Sequence, residues 1–303
     1  MRLDTPLCSA TLLLSWFLIV PDAEPLSAAE LKLETVRAWD GYVQAAQAEM
    51  KERIRTGNFL WVDEKAERRR DVRSGMTLVA PMGAHCPTSV PNGLIHHWIG
   101  AAFLPHVTVD DVFSVLRDYG RYKEFYRPIV VDSKPLSPTG ADDRFSMIVL
   151  NRVLFARNAM DSDYQGSYIQ IDGRRWYNIT YSTRVQEVEN YGEGSESRLA
   201  EGTGSGYIWR LYSISRFEER DGGVYVELEA MALSRDIPVS LRWLVNPMVR
   251  RISRSSLLTS LEQTRDAVHC VRAVNLTGSG AGHLADVHIP RSTLTKFDHQ
   301  RGR

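Results

Sequence analysis

The chain has 303 residues, of which 43% are hydrophobic and 24% are charged, so the composition excludes a chain that is disordered throughout. Lysine plus arginine and aspartate plus glutamate balance at 37 each. No overall field therefore attracts nucleic acid or an anionic membrane, and binding to either would need a local patch. We expect no nucleic-acid partner.

The first 29 residues have the features of a secretory signal peptide. An apolar run at residues 7–20 follows Arg2, and small residues gather at 27–29. The run is shorter than the roughly 20 residues that cross a bilayer, which argues against a permanent anchor. Asp4 is unusual in a segment that should be positive, so an uncleaved anchor is the alternative. We expect export to the periplasm or out of the cell.

Residues 30–92 are expected to form an N-terminal helix and a linker. Apolar side chains recur at helical spacing at Val36, Trp39, Val43 and Met50. Export would leave Cys86 as one of two cysteines in the mature chain, with Cys270 as the other. An oxidising compartment permits the two to pair, but sequence does not show whether they come within range, so two free thiols remain the alternative.

Residues 93–270 carry the ordered pattern of one domain. A long strand begins at Gly93, and a helix capped by Thr108 follows it. Six extended segments come next, at 129–136, 144–153, 154–164, 176–188, 207–218 and 224–233. Short turns between successive strands predict an antiparallel meander.

The last predicted element is a long amphipathic helix. It begins near Asp236, is interrupted at Pro247 and runs to about Cys270. Residues 271–303 show no periodicity and are predicted to form a disordered tail.

The order of strand, helix, meander and long final helix resembles the START-like helix-grip superfamily, also called SRPBCC. That superfamily includes polyketide cyclases, lipid-transfer START domains and coenzyme-Q-binding proteins. The segments that carry the resemblance are 103–105, 110–119, 209–227 and 234–238. The resemblance implies an α+β fold in which a curved antiparallel sheet wraps around the C-terminal helix, here with an extra N-terminal helix. It also implies a cavity for an apolar ligand between that helix and the sheet.

Strand alternation predicts the walls of this implied cavity, if the more apolar side chains of each strand point inward. The predicted ligand-binding residues are His97, Ile99, Met147, Asn151, Tyr177, Tyr181, Trp209, Leu211, Phe217, Leu257 and Leu261. Burying about 12 methylenes contributes roughly 10 kcal/mol before the costs of association, so no charged partner is needed.

Two groups of polar side chains are candidates for a metal site or for catalysis. His96 and His97 point to opposite faces of a strand and cannot share one ion, so we expect no metal site and no cofactor. Glu227 and Glu229 share a face that we predict to be on the solvent side, with Arg210 and Arg216 as cross-strand partners. If that face is buried instead, the carboxyl pKa values should rise and an enzyme becomes more plausible.

Three functions fit the sequence. The first is an exported, noncatalytic protein that binds or transports a lipid-like or polyketide-like small molecule, with transient membrane contact left open. The second is a cyclase- or hydrolase-type enzyme in the same cavity, with His97 as the candidate catalytic group. The third is a protein-interaction module that uses the N-terminal helix or the loop at 191–206.

Overall fold

The computed structural model describes residues 29–83, 85–136, 142–151 and 158–278. The predicted signal segment, except for Ala29, and the tail beyond Gly278 lie outside these residues. The helices are α1 Leu33–Thr56, α2 Ala66–Arg73, α3 Val109–Leu116, α4 Tyr122–Phe125 and α5 Val239–Gly278, with short 3₁₀ helices at Trp61–Glu64 and Tyr119–Arg121. The strands are β1 Leu78–Pro81, β2 Thr88–Val90, β3 Gly93–Pro105, β4 Val130–Pro135, β5 Asp142–Asn151, β6 Asn158–Gln170, β7 Arg175–Glu189, β8 Ser197–Arg198, β9 Arg210–Arg220 and β10 Gly223–Arg235.

The described strands form one ten-stranded sheet in which every pairing is antiparallel. The order is β1-β3-β10-β9-β7-β6-β5-β4, while β2 pairs with β3 and β8 pairs with β7. From β4 to β10 the main strands pair in chain order, as the meander prediction required, and β10 closes against β3. The curved antiparallel sheet, the long C-terminal α5 and the additional α1 confirm the predicted α+β helix-grip fold.

Helix α5 lies across one face of the sheet, which we call the α5 face. Leu261 packs there with Ala102, Phe217 and Val226, which are register partners on three neighbouring strands. The helix is continuous from Val239 to Gly278, so the predicted interruption at Pro247 is wrong. A proline in a helix removes one backbone hydrogen bond, and here the helix continues past it. The first residues of the predicted tail are helical as well.

Helix α1 covers the opposite face, which we call the α1 face. Its buried stripe includes Trp39, Ala46 and Met50, close to the predicted spacing. These side chains join one apolar cluster with Ile99 of β3 and Ile214 of β9. Both faces of the central sheet are therefore covered, and no described helix is long and apolar enough to cross a membrane.

The helix after β3 begins where its capping residue predicts. The Thr108 hydroxyl accepts a hydrogen bond from the Asp111 amide, and the Asp111 carboxylate accepts one from the Thr108 amide, which completes a capping box. This fixed start holds Phe113 of α3 over the α5 face, where its ring meets Phe217 edge-on at 5.2 Å.

Gly100 of β3 sets how closely α5 approaches the sheet. A Cβ atom there would lie 2.6 Å from Leu261 Cδ1 and 3.2 Å from the Leu78 carbonyl oxygen. We expect Gly100→Val to lower the free energy of unfolding by about 1–3 kcal/mol, because the helix must shift. Urea denaturation measures the change. Gly173→Val is the control, since nothing lies within 4 Å of a Cβ atom there, and an equal loss in both variants would contradict the explanation.

Candidate functional site

Two rows of mostly small or polar side chains cross the middle of the α5 face. One row is Gly166, Thr180, Ser213 and Ala230, and the next is Tyr168, Asn178, Ser215 and Leu228. Directly paired residues of antiparallel strands share a face, so the register itself places these side chains together. These two rows form the floor of the candidate site, which lies beneath α3 and α5.

Burial along β9 distinguishes the two faces. On the α1 face, Ile214 is 0% exposed and Arg216 is 1% exposed. On the α5 face, Leu211, Ser213 and Ser215 are only half-buried, although β9 is an interior strand. β10 shows the same alternation along 227–233. In the middle of β9 and β10 the α1 face is therefore tightly packed, whereas the α5 face retains accessible surface.

Aromatic rings form the wall of this space towards β4. Phe145 stacks on Tyr119 at 4.2 Å and on Tyr164 at 5.1 Å between ring centroids. The Tyr126 hydroxyl lies 3.0 Å from the Thr264 hydroxyl and connects the end of α4 to α5. Aromatic faces with polar tips suit a ligand that is apolar with a few oxygen atoms.

A carboxylate lies beside that wall. Asp143 is buried and accepts hydrogen bonds from the Arg117 guanidinium at 3.0 Å and from the Tyr119 hydroxyl at 2.8 Å. Burial raises the pKa of Tyr126 and Tyr164 to about 12, so both hydroxyls stay protonated at neutral pH and can donate. The wall therefore offers neutral hydrogen-bonding groups.

The two glutamates of β10 are buried on the α1 face, so their predicted position on the solvent side is wrong. Glu227 is 0% exposed and accepts hydrogen bonds from the amides of Trp61 and Val62 at 3.0 and 2.9 Å. Helix α1 and the 3₁₀ helix cover a face that would otherwise be open to solvent. The Arg216 partnership is confirmed, since its guanidinium lies 3.6 Å from Glu227 and donates to Glu229. Arg210 instead donates to the Trp209 carbonyl.

The two carboxyls have opposite shifts. Burial raises the pKa of Glu227 to about 7, against the charge of Arg216 and the two amides. Burial also acts on Glu229, but the hydrogen bond from His97 and the charge of Arg216 outweigh it and lower its pKa to about 2. A buried position predicts a raised carboxyl pKa, and the pKa of Glu227 rises as expected, whereas that of Glu229 does not. Because protein groups satisfy both carboxyls, the cluster fits a structural role.

His97 lies inside this cluster. One ring nitrogen is 2.8 Å from Glu229 and the other is 2.9 Å from the Tyr42 hydroxyl of α1. His96 points to the other face, 2.9 Å from the Ser234 hydroxyl, and burial lowers its pKa to about 4. No three potential metal ligands come together among the described residues. Cys86 and Cys270 are free thiols.

The predicted ligand-binding residues divide between the faces. Those on the α5 face are Met147, Leu211, Phe217, Leu257 and Leu261. Those on the α1 face are His97, Ile99, Tyr177, Tyr181 and Trp209. The side chain of Asn151 lies outside the described part of the chain. In β3 and β7, choosing the more apolar set selected side chains of the α1 face.

The sequence analysis did not select the two central rows as candidate ligand-binding residues, because serine, threonine and asparagine in strands do not form a recognisable pattern for an apolar ligand. A usable signal was present in β9. Ser213 and Ser215 alternate there with Tyr212, Ile214 and Arg216. The small side chains of this alternation lie on the half-buried α5 face.

No protein-family model matches the sequence, and no curated protein matches it. Solved structures with a similar fold include a STAR-related lipid transfer protein from Xanthomonas axonopodis (18% identity, TM-score 0.41, covering 63% of this chain and 98% of that chain). Human STARD10 (11%, 0.41, 70% and 83%) and the Zhui aromatase/cyclase from Streptomyces sp. R1128 (10%, 0.39, 62% and 99%) are similar too. The helix-grip assignment rests on the sheet order and α5.

Replacing Glu227 with glutamine should change how stability depends on pH. The raised pKa of about 7 means that Glu227 stabilises the fold fully below its ordinary value of 4.5 and loses that contribution as pH rises through 7. We expect the unfolding free energy of the wild type to fall more between about pH 5 and about pH 8 than that of Glu227→Gln. Urea denaturation across this range measures the slope.

The control is Glu189→Gln, which changes an exposed glutamate of β7. Glutamine at 227 offers one acceptor to two amides, so the variant should also be less stable at every pH. Equal slopes in the wild type and Glu227→Gln would contradict the assignment.

Proposed function

We propose that the protein binds a hydrophobic small molecule between the α5 face of the sheet and the helices over it. The single observation that carries this proposal is the burial contrast along β9, where the α5-face side chains stay partly accessible in an interior strand. If the α5 face served only as core, its side chains on β9 would be as deeply buried as those that β9 places on the α1 face.

The chemistry of the space favours a ligand with rings or chains and a few neutral oxygen atoms. Aromatic and aliphatic side chains such as Phe145 and Leu257 line its edges. Hydroxyls such as those of Thr180 and Ser213 lie on its floor. Apolar contact supplies affinity, and hydrogen bonds to the hydroxyls orient the molecule. Lipid-like and polyketide-like molecules both meet this description, and carriage without catalysis is the form that we propose.

Catalysis at His97 stays an alternative prediction. Both ring nitrogens of His97 already have partners, Tyr42 and Glu229, beneath α1. Candidate groups that border the α5 face are instead Asp143 and Tyr119. These positions support binding more directly than they support proton transfer at His97, because general acid–base catalysis needs a substrate within hydrogen-bond reach.

Filling the space should abolish ligand retention. Ser213→Phe places a ring on the floor beside Thr180 and Ala230. Native mass spectrometry of the purified wild type should show a copurifying hydrophobic molecule, and Ser213→Phe should lose most of it while still unfolding cooperatively. The ligand-bound fraction should unfold at a higher temperature.

Thr183→Phe is the matched control, because Thr183 is exposed on β7. This variant should retain the molecule at the wild-type level. A wild-type protein that carries nothing and binds no hydrophobic probe would contradict the proposal and favour the interaction-module alternative. Equal retention in Ser213→Phe would contradict the position of the site.

We also propose that the chain is exported and processed after residue 29. The apolar run at residues 7–20 and the small residues at 27–29 support this. The Leu31 amide donates to the Gly202 carbonyl at 2.8 Å, a bond that a chain starting at Glu30 would keep. Fractionation with N-terminal sequencing should find the protein outside the cytoplasm with Glu30 first. An intact N-terminus in the cytoplasm would contradict export.

A further inference from the structure

The N-terminal half of α5 carries exposed large apolar side chains. Trp243 is 76% exposed, the highest value among the large apolar side chains of the described residues, and Met248 is 39% exposed. Burial of the helix against the sheet begins at Leu257, which packs with Trp98. Leu257 lies about five turns from the start of α5 and is the first buried side chain among those of α5 that the structure describes.

All the charged residues in the same part of the helix are basic. Residues 239–261 contain four arginines and no aspartate or glutamate. Arg250, Arg251 and Arg254 are exposed, and none of them takes part in an ion pair among the described residues. The chain as a whole has a formal net charge of zero, so this is a local concentration of charge.

Helical geometry brings the two properties together. At 3.6 residues per turn, Trp243, Arg250 and Arg254 fall within about 40° of one another around the helix axis. On the side of Arg254, Arg251 lies about 80° and Met248 about 140° from Trp243 around the axis. We call the surface formed by these five residues the basic flank of α5.

We propose that the basic flank docks on the surface of a membrane that contains anionic lipids. Tryptophan is favoured at the level of the lipid headgroups, where its ring is apolar and its N–H is solvated. Arginines beside it can bind lipid phosphates and are attracted by the surface potential of an anionic bilayer. A nucleic acid would match the arginines but gives no reason for an exposed Trp243 in line with them.

This docking does not depend on the ligand proposed above, because it involves only the outer side of α5. If both hold, the contact would bring the space beneath α5 close to a source of hydrophobic molecules. Vesicle binding tests the docking alone, and ligand retention tests the other proposal, so failure of one is distinguishable from failure of the other.

The experiment is flotation of the full chain with vesicles of phosphatidylcholine alone or mixed with phosphatidylglycerol. The wild type should bind the mixed vesicles much more strongly, and added salt should weaken binding. The triple variant Arg250→Glu, Arg251→Glu, Arg254→Glu should lose about tenfold or more in affinity. Trp243→Ser should lose several-fold on the same vesicles.

The matched control is Arg69→Glu, Arg70→Glu, Arg73→Glu on α2, where each arginine is exposed and has an acidic neighbour at 3.7–3.8 Å. It makes the same change in net charge and should bind like the wild type. Because the apolar run at residues 7–20 could itself bind lipid, the readout is the difference between vesicle types and between variants.

Three results would overturn the proposal. The first is equal binding of the α5 triple variant and the wild type to mixed vesicles. The second is an equal loss in the α2 control. The third is association with nucleic acid, or a dimer that Trp243→Ser dissociates, in the absence of vesicle binding.

Discussion

Arg216 is buried between Glu227 and Glu229 on the α1 face, and the positions of the helices around the sheet depend on this cluster. The charges of Arg216 and Glu229 could not stay in the interior without each other, since removing one partner of a buried ion pair costs about 3–5 kcal/mol. The cluster also holds the covering segment: Glu227 accepts from the Trp61 and Val62 amides, and His97 connects Glu229 to Tyr42. The N-terminal segment is thereby fixed to one face.

Because α1 and the 3₁₀ helix cover that face at β9 and β10, we place the proposed ligand on the other face. The α5 face has short side chains such as Ser213 and Thr180 at its centre, and aromatic rings such as Phe145 towards its edge. α3 and α5 cover it from above, with Phe113 and Leu261 as contact points. Along β9 and β10 the sheet therefore has a tightly packed side and a partly accessible side.

The sequence predicted most of the helices and strands, but it did not show which side chains of each strand face α1 and which face α5. Periodicity, turn residues and the Thr108 cap are local signals, and they predicted the long first strand, the meander, α1, α3 and the C-terminal helix, but not α2, β1, β2 or β8. Which face of a strand is inward depends on what covers it. With α1 on one side and α5 on the other, the more apolar side chains chosen in β3, such as His97 and Ile99, lie on the α1 face, and Ser213 of the α5 face was not chosen. The burial of Glu227 depends on a distant segment, which no pattern within β10 reveals.

The central claim is that the ligand lies on the α5 face. A crystal structure of the protein purified with its copurifying molecule tests it most directly. We predict density for a hydrophobic molecule between α5 and β9, within contact of Ser213 and Ser215, with the Arg216 cluster intact beneath α1. A molecule on the α1 face, or side chains closing the α5 face completely, would contradict the account.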